Sequence, residues 1–379
     1  MVSSEDKQSK NILWFKEIEI KDVPLVGGKN ASLGEMYSKL TAKGISVPNG
    51  FAITAKTYRD FLSRAKLTEK IKKNLKGLNV TDVKALSQAG KKIRDAILSA
   101  GFSHELVVEI KKSYQELAKS VNVKDVSVAV RSSATAEDLP DASFAGQQET
   151  YLNVRGEKEL LIAVKKCFAS LFTDRAISYR EAKGFDHLAV ALSVTVQQMV
   201  RSDLGASGVM FTLDTESGFS GVVLINAAYG LGEYVVKGRV NPDQFYVFKE
   251  GIKQGKKAII SKILGSKEVK LIYGKKQGTT QAQVKRADRD KFAVSADDVI
   301  KLAKWGVQIE EYYGRAQDIE WAKDGQTGKL FIVQARPETV KARASHSVIE
   351  NYQLKEKGKI LISGIAVGQK IGAGKVRVI

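Results

Sequence analysis

The stretch Asp125-Val-Ser-Val-Ala-Val-Arg-Ser-Ser-Ala-Thr-Ala-Glu-Asp-Leu-Pro-Asp-Ala-Ser-Phe-Ala-Gly-Gln-Gln-Glu-Thr150 combines a strand, a fixed cation and a small-residue loop. Val126, Val128 and Val130 make the apolar face of a half-buried strand, so Ser127, Ala129 and Arg131 point the other way. Arg131 then emerges at a strand end beside Ser132 and Ser133. Its guanidinium keeps its charge and presents a planar fork of donors that suits a pair of phosphate oxygens. Downstream, Ser143-Phe-Ala-Gly146 lets backbone N–H groups approach an anion closely, because glycine carries no Cβ. The segment thus reads as part of a phosphate-handling site. On its own it equally allows Arg131 to pair with Glu137 or Asp138 beside an ordinary turn.

Outward from this unit, 379 residues with 43% apolar and 8% aromatic content suffice for two or three globular cores. No apolar run approaches the roughly eighteen residues of a membrane span, and Met1 to Lys10 lacks the apolar centre of a secretory signal, which points to the cytoplasm. One cysteine, Cys167, excludes an intramolecular disulfide framework and a cysteine-rich zinc site, and its helical apolar context predicts a buried, inert thiol. The net charge of +19 favours anionic partners without choosing among them. Much of it comes from Lys253, Lys256, Lys257, Lys262, Lys267, Lys270, Lys275 and Lys276, interleaved with Ile259, Ile263 and Leu271. That pattern predicts amphipathic strands with a solvated lysine face. Nucleic-acid binding would call for arginines and exposed aromatics beside the lysines, and few are there.

Gly27-Gly-Lys-Asn30 precedes Leu33, Met36, Tyr37 and Leu40 at helical spacing, with Gly44 placed to end the helix. Lys29 therefore sits near a helix N-terminus, where orphan N–H donors and the dipole favour an anion; a solvent-exposed loop lysine is the alternative. Phe51 to Thr54 predicts a short strand, Tyr58 to Lys119 and Glu157 to Lys183 predict helix, and a β-rich half begins after Phe185 with Leu192, Val194 and Val196.

Near the end, Ala316-Gln-Asp-Ile-Glu-Trp-Ala-Lys-Asp-Gly-Gln-Thr-Gly-Lys-Leu-Phe-Ile-Val-Gln-Ala-Arg-Pro337 places two alternating runs around a Gly-containing turn, which predicts a hairpin. If Glu320 lies opposite Gln334, Asp318 lies opposite Arg336 and all four project from one face. Two carboxylates and an amide oxygen are hard ligands that suit magnesium, and Arg336 would face transferring phosphates. The alternative is an Asp318–Arg336 ion pair on an exposed sheet. No phosphate-binding loop of the Gly-x4-Gly-Lys-Ser/Thr type occurs, and Val235 replaces the third glycine of a dinucleotide fingerprint after Gly230-Leu-Gly232. His104, His187 and His346 show no metal spacing.

Six segments in fixed order, Val26 to Met36, Val47 to Phe51, Val130 to Asp138, Ser143 to Gln147, Asn241 to Asp243 and Gln334 to Pro337, resemble the N-terminal nucleotide-binding region of the phosphoenolpyruvate synthase (pyruvate, water dikinase) group of PEP-utilising dikinases. The resemblance implies an α+β, ATP-grasp-like fold whose two subdomains, 1–190 and 191–340, close over ATP. A linker, 341–360, and the truncated beginning of a swivelling phosphohistidine domain, 361–379, would follow. It implies Lys29, Arg131 and Arg336 on phosphates with catalytic roles, Ser143 and Gly146 beside them, and Glu320, Gln334 and the neighbouring Asp318 on magnesium. Gln198, Met199 and Val200 would meet the adenine. In such enzymes ATP donates a diphosphoryl group to a histidine, water takes the γ-phosphate, and pyruvate receives the remaining phosphoryl group. The acceptor histidine and pyruvate site would be missing from this chain. A rifampicin phosphotransferase-type dikinase, a pyruvate, phosphate dikinase and a non-catalytic ATP-binding module are alternatives that share this region; no nucleic-acid or membrane partner is expected.

Overall fold

The computed structural model describes residues 4–135, 138, 139, 142, 143, 149–338, 359, 374 and 375. Gly146, His346 and, apart from those last three positions, the expected linker and the 361–379 segment lie outside the described residues; at Ser143 only the backbone is described.

The first part runs α1 (Ser4–Ser9), β1 (Ile12–Trp14), α2 (Val23–Glu35), β2 (Gly50–Ile53), α3 (Ala55–Arg64), α4 (Leu67–Leu75), α5 (Val83–Ser99), α6 (His104–Ser120), β3 (Val128–Ala134), β4 (Asp138–Leu139), β5 (Ala142–Ser143), β6 (Thr150–Val154), α7 (Glu157–Ser170), α8 (Asp174–Ala182) and β7 (Leu192–Gln198). The second comprises β8 (Ala206–Phe211), β9 (Val222–Tyr229), α9 (Glu233–Val236), β10 (Asp243–Phe248), α10 (Lys249–Lys253), β11 (Ile259–Ile263), β12 (Val269–Tyr273), β13 (Thr279–Gln283), α11 (Arg286–Arg289), α12 (Ala296–Tyr313), β14 (Gln317–Lys323) and β15 (Leu330–Pro337). Helix starts follow capping chemistry: the side chains of Thr54, Asp82, Ser103, Thr173 and Ser295 each accept a first-turn N–H. The cap at Thr173 breaks the expected helix over 157–183 into α7 and α8.

Two antiparallel sheets carry the fold, giving mixed α+β architecture. The first has the order β1-β2-β7-β3-β6 and the second β11-β10-β9-β8-β14-β15. One face of the first sheet, with Phe51, Val128, Val130, Val194 and Val196, packs on the helices between α3 and α8. One face of the second, with Met210, Ile225, Phe245 and Ile319, packs on α12 and on residues that precede the first sheet's β2, among them Phe15, Val26 and Leu33. The N-terminal segment therefore belongs to both cores. Strand β7 also departs from the expected boundary at residue 191. It pairs between β2 and β3, because Leu192, Val194 and Val196 complete the first core, and the chain crosses to the second sheet only beyond Gln198.

Cys167 is buried in the first core, which pushes its thiol pKa up, as expected for an inert side chain. The solvated lysine face needs one correction. Lys267 has 0% exposure and bonds to Asp243 Oδ1, to Gly265 O at 2.8 Å and to Arg289 O at 3.2 Å. Asp243 also accepts from the N–H groups of Gly265 and Ala293. A charge buried this deeply persists only with its full set of partners. Among the described residues no helix is long and apolar enough to cross a membrane.

A second buried cation makes the first half sensitive to acid. Arg180 is fully buried and donates from Nε to His187 Nδ1 at 3.1 Å, while His187 Nε2 lies 3.3 Å from Glu181. Burial and then the Arg180 guanidinium hold the His187 pKa below its ordinary 6.5, with Glu181 and Asp186 opposing. The unfolded ring takes up a proton near 6.5 and the folded one resists it, so the unfolded state binds more protons and stability falls as pH drops below that value. Urea unfolding followed from about pH 8 to pH 5 is expected to show this decline, with a shallower slope in His187→Gln.

Candidate functional site

Between the two sheets lies a cleft of about 480 Å³, and its lining brings together Lys29, Arg131, Glu320, Gln334 and Arg336. Each reaches it for a local reason.

Lys29 stands on α2, whose helical course is interrupted at Gly27 (φ 74°, ψ 165°). The chain can turn there only because glycine is present: a Cβ would lie 2.3 Å from Ser133 Oγ and 2.5 Å from Ser133 O. Beyond the break, Asn30 N–H donates to Ser133 Oγ at 3.4 Å, and Asn30 Nδ2 donates to Val26 O at 3.1 Å and to Ser193 Oγ at 3.0 Å. Lys29 Nζ reaches Ser132 O at 3.4 Å. On the other side Ser32 Oγ donates to Ala335 O of β15 at 2.7 Å. The helix end carrying Lys29 is thus fixed against both sheets.

Arg131 pairs in register with Thr195 on β7 and Thr150 on β6 and points away from the core, as the alternation requires. Its Nε is buried and has no hydrogen-bond partner among the described residues. The same holds for Gln197 Nε2 and Thr195 Oγ1, on the same side of β7. Buried donors of this kind ordinarily have partners, so their concentration beside a cleft marks it as a place for a polar ligand.

On the hairpin β14–β15, Glu320 lies opposite Gln334 and Asp318 opposite Arg336, the expected register. Asp318 takes the ion-pair arrangement and is not among the residues that line the cleft. It accepts from Arg336 Nε at 2.9 Å and Nη2 at 2.7 Å, and Arg336 nonetheless lines the cleft. Burial raises the Asp318 pKa, and the Arg336 charge opposes that rise. Asp318 is therefore the partner that orients Arg336. Glu320 Oε2 stands 4.0 Å from Arg131 Nη1, beyond hydrogen-bonding reach, so its oxygens can accept a cation. A carboxylate beside an amide oxygen fits a hard ion such as magnesium that retains water and ligand oxygens. Among the described residues no group of three His, Cys, Asp or Glu gathers as a full protein cage.

Gln198, Met199 and Val200 line the cleft as expected, although the N–H groups of Gln198 and Met199 are taken by Asn49 O and Ser127 O, both at 2.9 Å. Gly146 lies outside the described residues, and Ser143 is described only as backbone of β5. Beside Met199, which the resemblance already puts at the adenine, the cleft has an apolar end completed by Leu152, Leu231 and Val236, and further charged groups, Arg175, Glu233 and Lys237, that the sequence does not single out. Glu233 and Lys237, ion-paired one helical turn apart, directly follow Gly230-Leu-Gly232. That glycine pair was weighed only as a dinucleotide fingerprint. Arg175 carries no signal beyond its place in a helix.

Residues 23–356 match the family model described as pyruvate phosphate dikinase, AMP/ATP-binding domain. The chain is 56% identical over 372 residues to the phosphoenolpyruvate synthase of Pseudomonas aeruginosa, covering 97% of this chain and 47% of that protein. With the phosphoenolpyruvate synthase of Escherichia coli it shares 52% identity over 381 residues, 99% of this chain and 48% of the relative. A probable phosphoenolpyruvate synthase of Methanocaldococcus jannaschii is 42% identical over 373 residues, 98% of this chain and 30% of the relative. The chain spans about half the length, or less, of these curated relatives.

The pivot at Gly27 gives a direct check of how the cleft is held. Gly27→Ala is expected to lose at least about 1–3 kcal/mol of unfolding free energy in urea titrations, because it imposes both a disfavoured φ and a backbone clash.

Proposed function

The chain belongs to the family of pyruvate phosphate dikinase AMP/ATP-binding domains, and from that membership and the cleft we propose that it binds magnesium-ATP between its two sheets, as two subdomains of an ATP-grasp-like fold. Lys29, Arg131 and Arg336 hold the phosphates, with Asp318 aiming the Arg336 fork. Glu320 and Gln334 hold magnesium, which when bound neutralises phosphate charge. The base occupies the apolar end beside Leu152, Met199 and Leu231, with Gln198 and Val200 at its edge, and Ser143 and Gly146 are the further phosphate contacts that the family implies.

The observation that carries this reading is the convergence of three cations from three separate elements, α2, β3 and β15, on a carboxylate–amide pair within one cleft. Asp318 pairs with Arg336 and Glu320 stands 4.0 Å from Arg131, so the cluster is partly compensated; a triphosphate has the charge and length to reach all three cations. A single structural ion pair would need one of them.

At the level of the whole enzyme, we read this chain as the nucleotide-binding, diphosphoryl-donating part of a phosphoenolpyruvate synthase, which converts ATP, pyruvate and water to AMP, phosphoenolpyruvate and phosphate in the cytoplasm. The names of the relatives support the synthase over the other dikinases. The acceptor histidine and pyruvate site are expected in the part of the relatives that the chain does not match. His104 at the start of α6 and His187 beside Arg180 sit on the helical side of the first half, among the residues that do not line the cleft.

Calorimetric titration with ATP tests the reading. Lys29→Ala is expected to weaken magnesium-ATP binding about tenfold or more, the scale of one charge-assisted phosphate contact. Glu320→Gln is expected to remove most of the magnesium dependence while leaving metal-free ATP binding near its wild-type level. Unchanged affinity in both variants would refute it.

A further inference from the structure

The hairpin β12–β13 belongs to neither large sheet, yet it is attached at three places around the apolar end of the cleft. Its turn is clasped by Asn153 of β6, whose O accepts from Gly278 N at 3.3 Å and whose Nδ2 donates to Gly278 O at 2.9 Å. Asn153 is 1% exposed and left-handed (φ 54°), and its Oδ1 is held by Ser127 Oγ at 2.9 Å and Arg155 Nε at 3.0 Å. At the second place two guanidiniums lie over the Tyr273 ring, Arg201 at 5.0 Å and Arg155 at 5.6 Å from its centroid. Arg201 in turn forms a fork with Asp203 at 2.8 and 3.0 Å, and its carbonyl accepts from Gly325 N in the β14–β15 turn at 3.1 Å. At the third, Leu231 N donates to Leu271 O at 2.8 Å and Tyr234 donates through its hydroxyl to Gln281 at 2.9 Å.

These attachments coincide with the cleft wall. Leu152 precedes Asn153, Met199 lies two residues before Arg201, and Leu231 is itself an attachment point. Leu152 and Met199 pack with Leu231, Leu271 and Tyr273 in one small core under the hairpin. The wall is drawn from the first sheet, from the crossing between the sheets and from the loop after β9, and the hairpin touches all three.

We propose that the β12–β13 hairpin, through Tyr273 and Asn153, positions the apolar end of the cleft and so sets how tightly the nucleotide's base is held, independently of the phosphate end. This rests on the ATP-binding reading above. Neither residue need touch the nucleotide; both act through Leu152, Met199 and Leu231. The stacking is made by the Tyr273 ring faces, so phenylalanine preserves it and leucine does not. Glycine at position 153 keeps the left-handed backbone and removes the side-chain clasp.

The test measures dissociation constants for ATP and for AMP by equilibrium dialysis on the wild type, Tyr273→Leu, Tyr273→Phe and Asn153→Gly, each verified as folded by circular dichroism. Tyr273→Leu and Asn153→Gly are expected to weaken ATP and AMP by the same factor, about tenfold, the scale of losing two cation–π contacts or a buried clasp. Tyr273→Phe is expected to stay within about twofold of wild type. Loss confined to ATP, a phenylalanine variant as impaired as the leucine one, or no loss in either Tyr273→Leu or Asn153→Gly would overturn the proposal while leaving the ATP-binding reading intact. A wild type that binds neither nucleotide would overturn both.

Discussion

Asn30 and Ser32, two residues apart on α2, are tied to opposite sheets, the first to Ser133 and Ser193 and the second to Ala335. The site depends on this double attachment. Lys29 directly precedes the first anchor in sequence, so its backbone cannot shift relative to Arg131 on one side or Arg336 on the other without breaking a buried hydrogen bond. Gly27 makes the arrangement possible, since a side chain there would collide with Ser133. Val26 and Leu33, on α2 to either side of these residues, are buried in the second core, so hydrophobic packing and the hydrogen bonds act in the same direction.

The electrostatics follow from that geometry. Arg336 is oriented by Asp318, whose burial raises its pKa and whose charge is supported by the guanidinium it accepts from. Arg131 stays separated from Glu320 by 4.0 Å and keeps a buried Nε without a partner among the described residues. A fold selected for stability alone would be expected to draw such a loose ion pair into hydrogen-bonding contact. Local rules are relaxed most where a ligand is to be bound.

How much of this was legible in the sequence depends on the range of the information. The β14–β15 register could be read because strict alternation flanks a recognisable turn, and Lys29 because glycines and helical spacing mark a helix end. Both are local signals. Strand β7 was assigned to the wrong half because alternation reveals that a strand exists and not which sheet it joins. Lys267 reads in the sequence as one more solvated lysine among many. Its burial depends on Asp243, Gly265 and Arg289, which no period in the sequence connects. Of the cleft's apolar end only Met199 is named by the resemblance, since Leu152 and Leu231 join it only through the tertiary path of the chain.

A structure of the chain with ATP and magnesium would test the central claim most directly. The account predicts one triphosphate within hydrogen-bonding distance of Lys29 Nζ, Arg131 and Arg336, with magnesium on oxygens of Glu320 and Gln334. Nucleotide density elsewhere, or a triphosphate in the cleft that leaves Lys29 and Arg131 without contact, would contradict it.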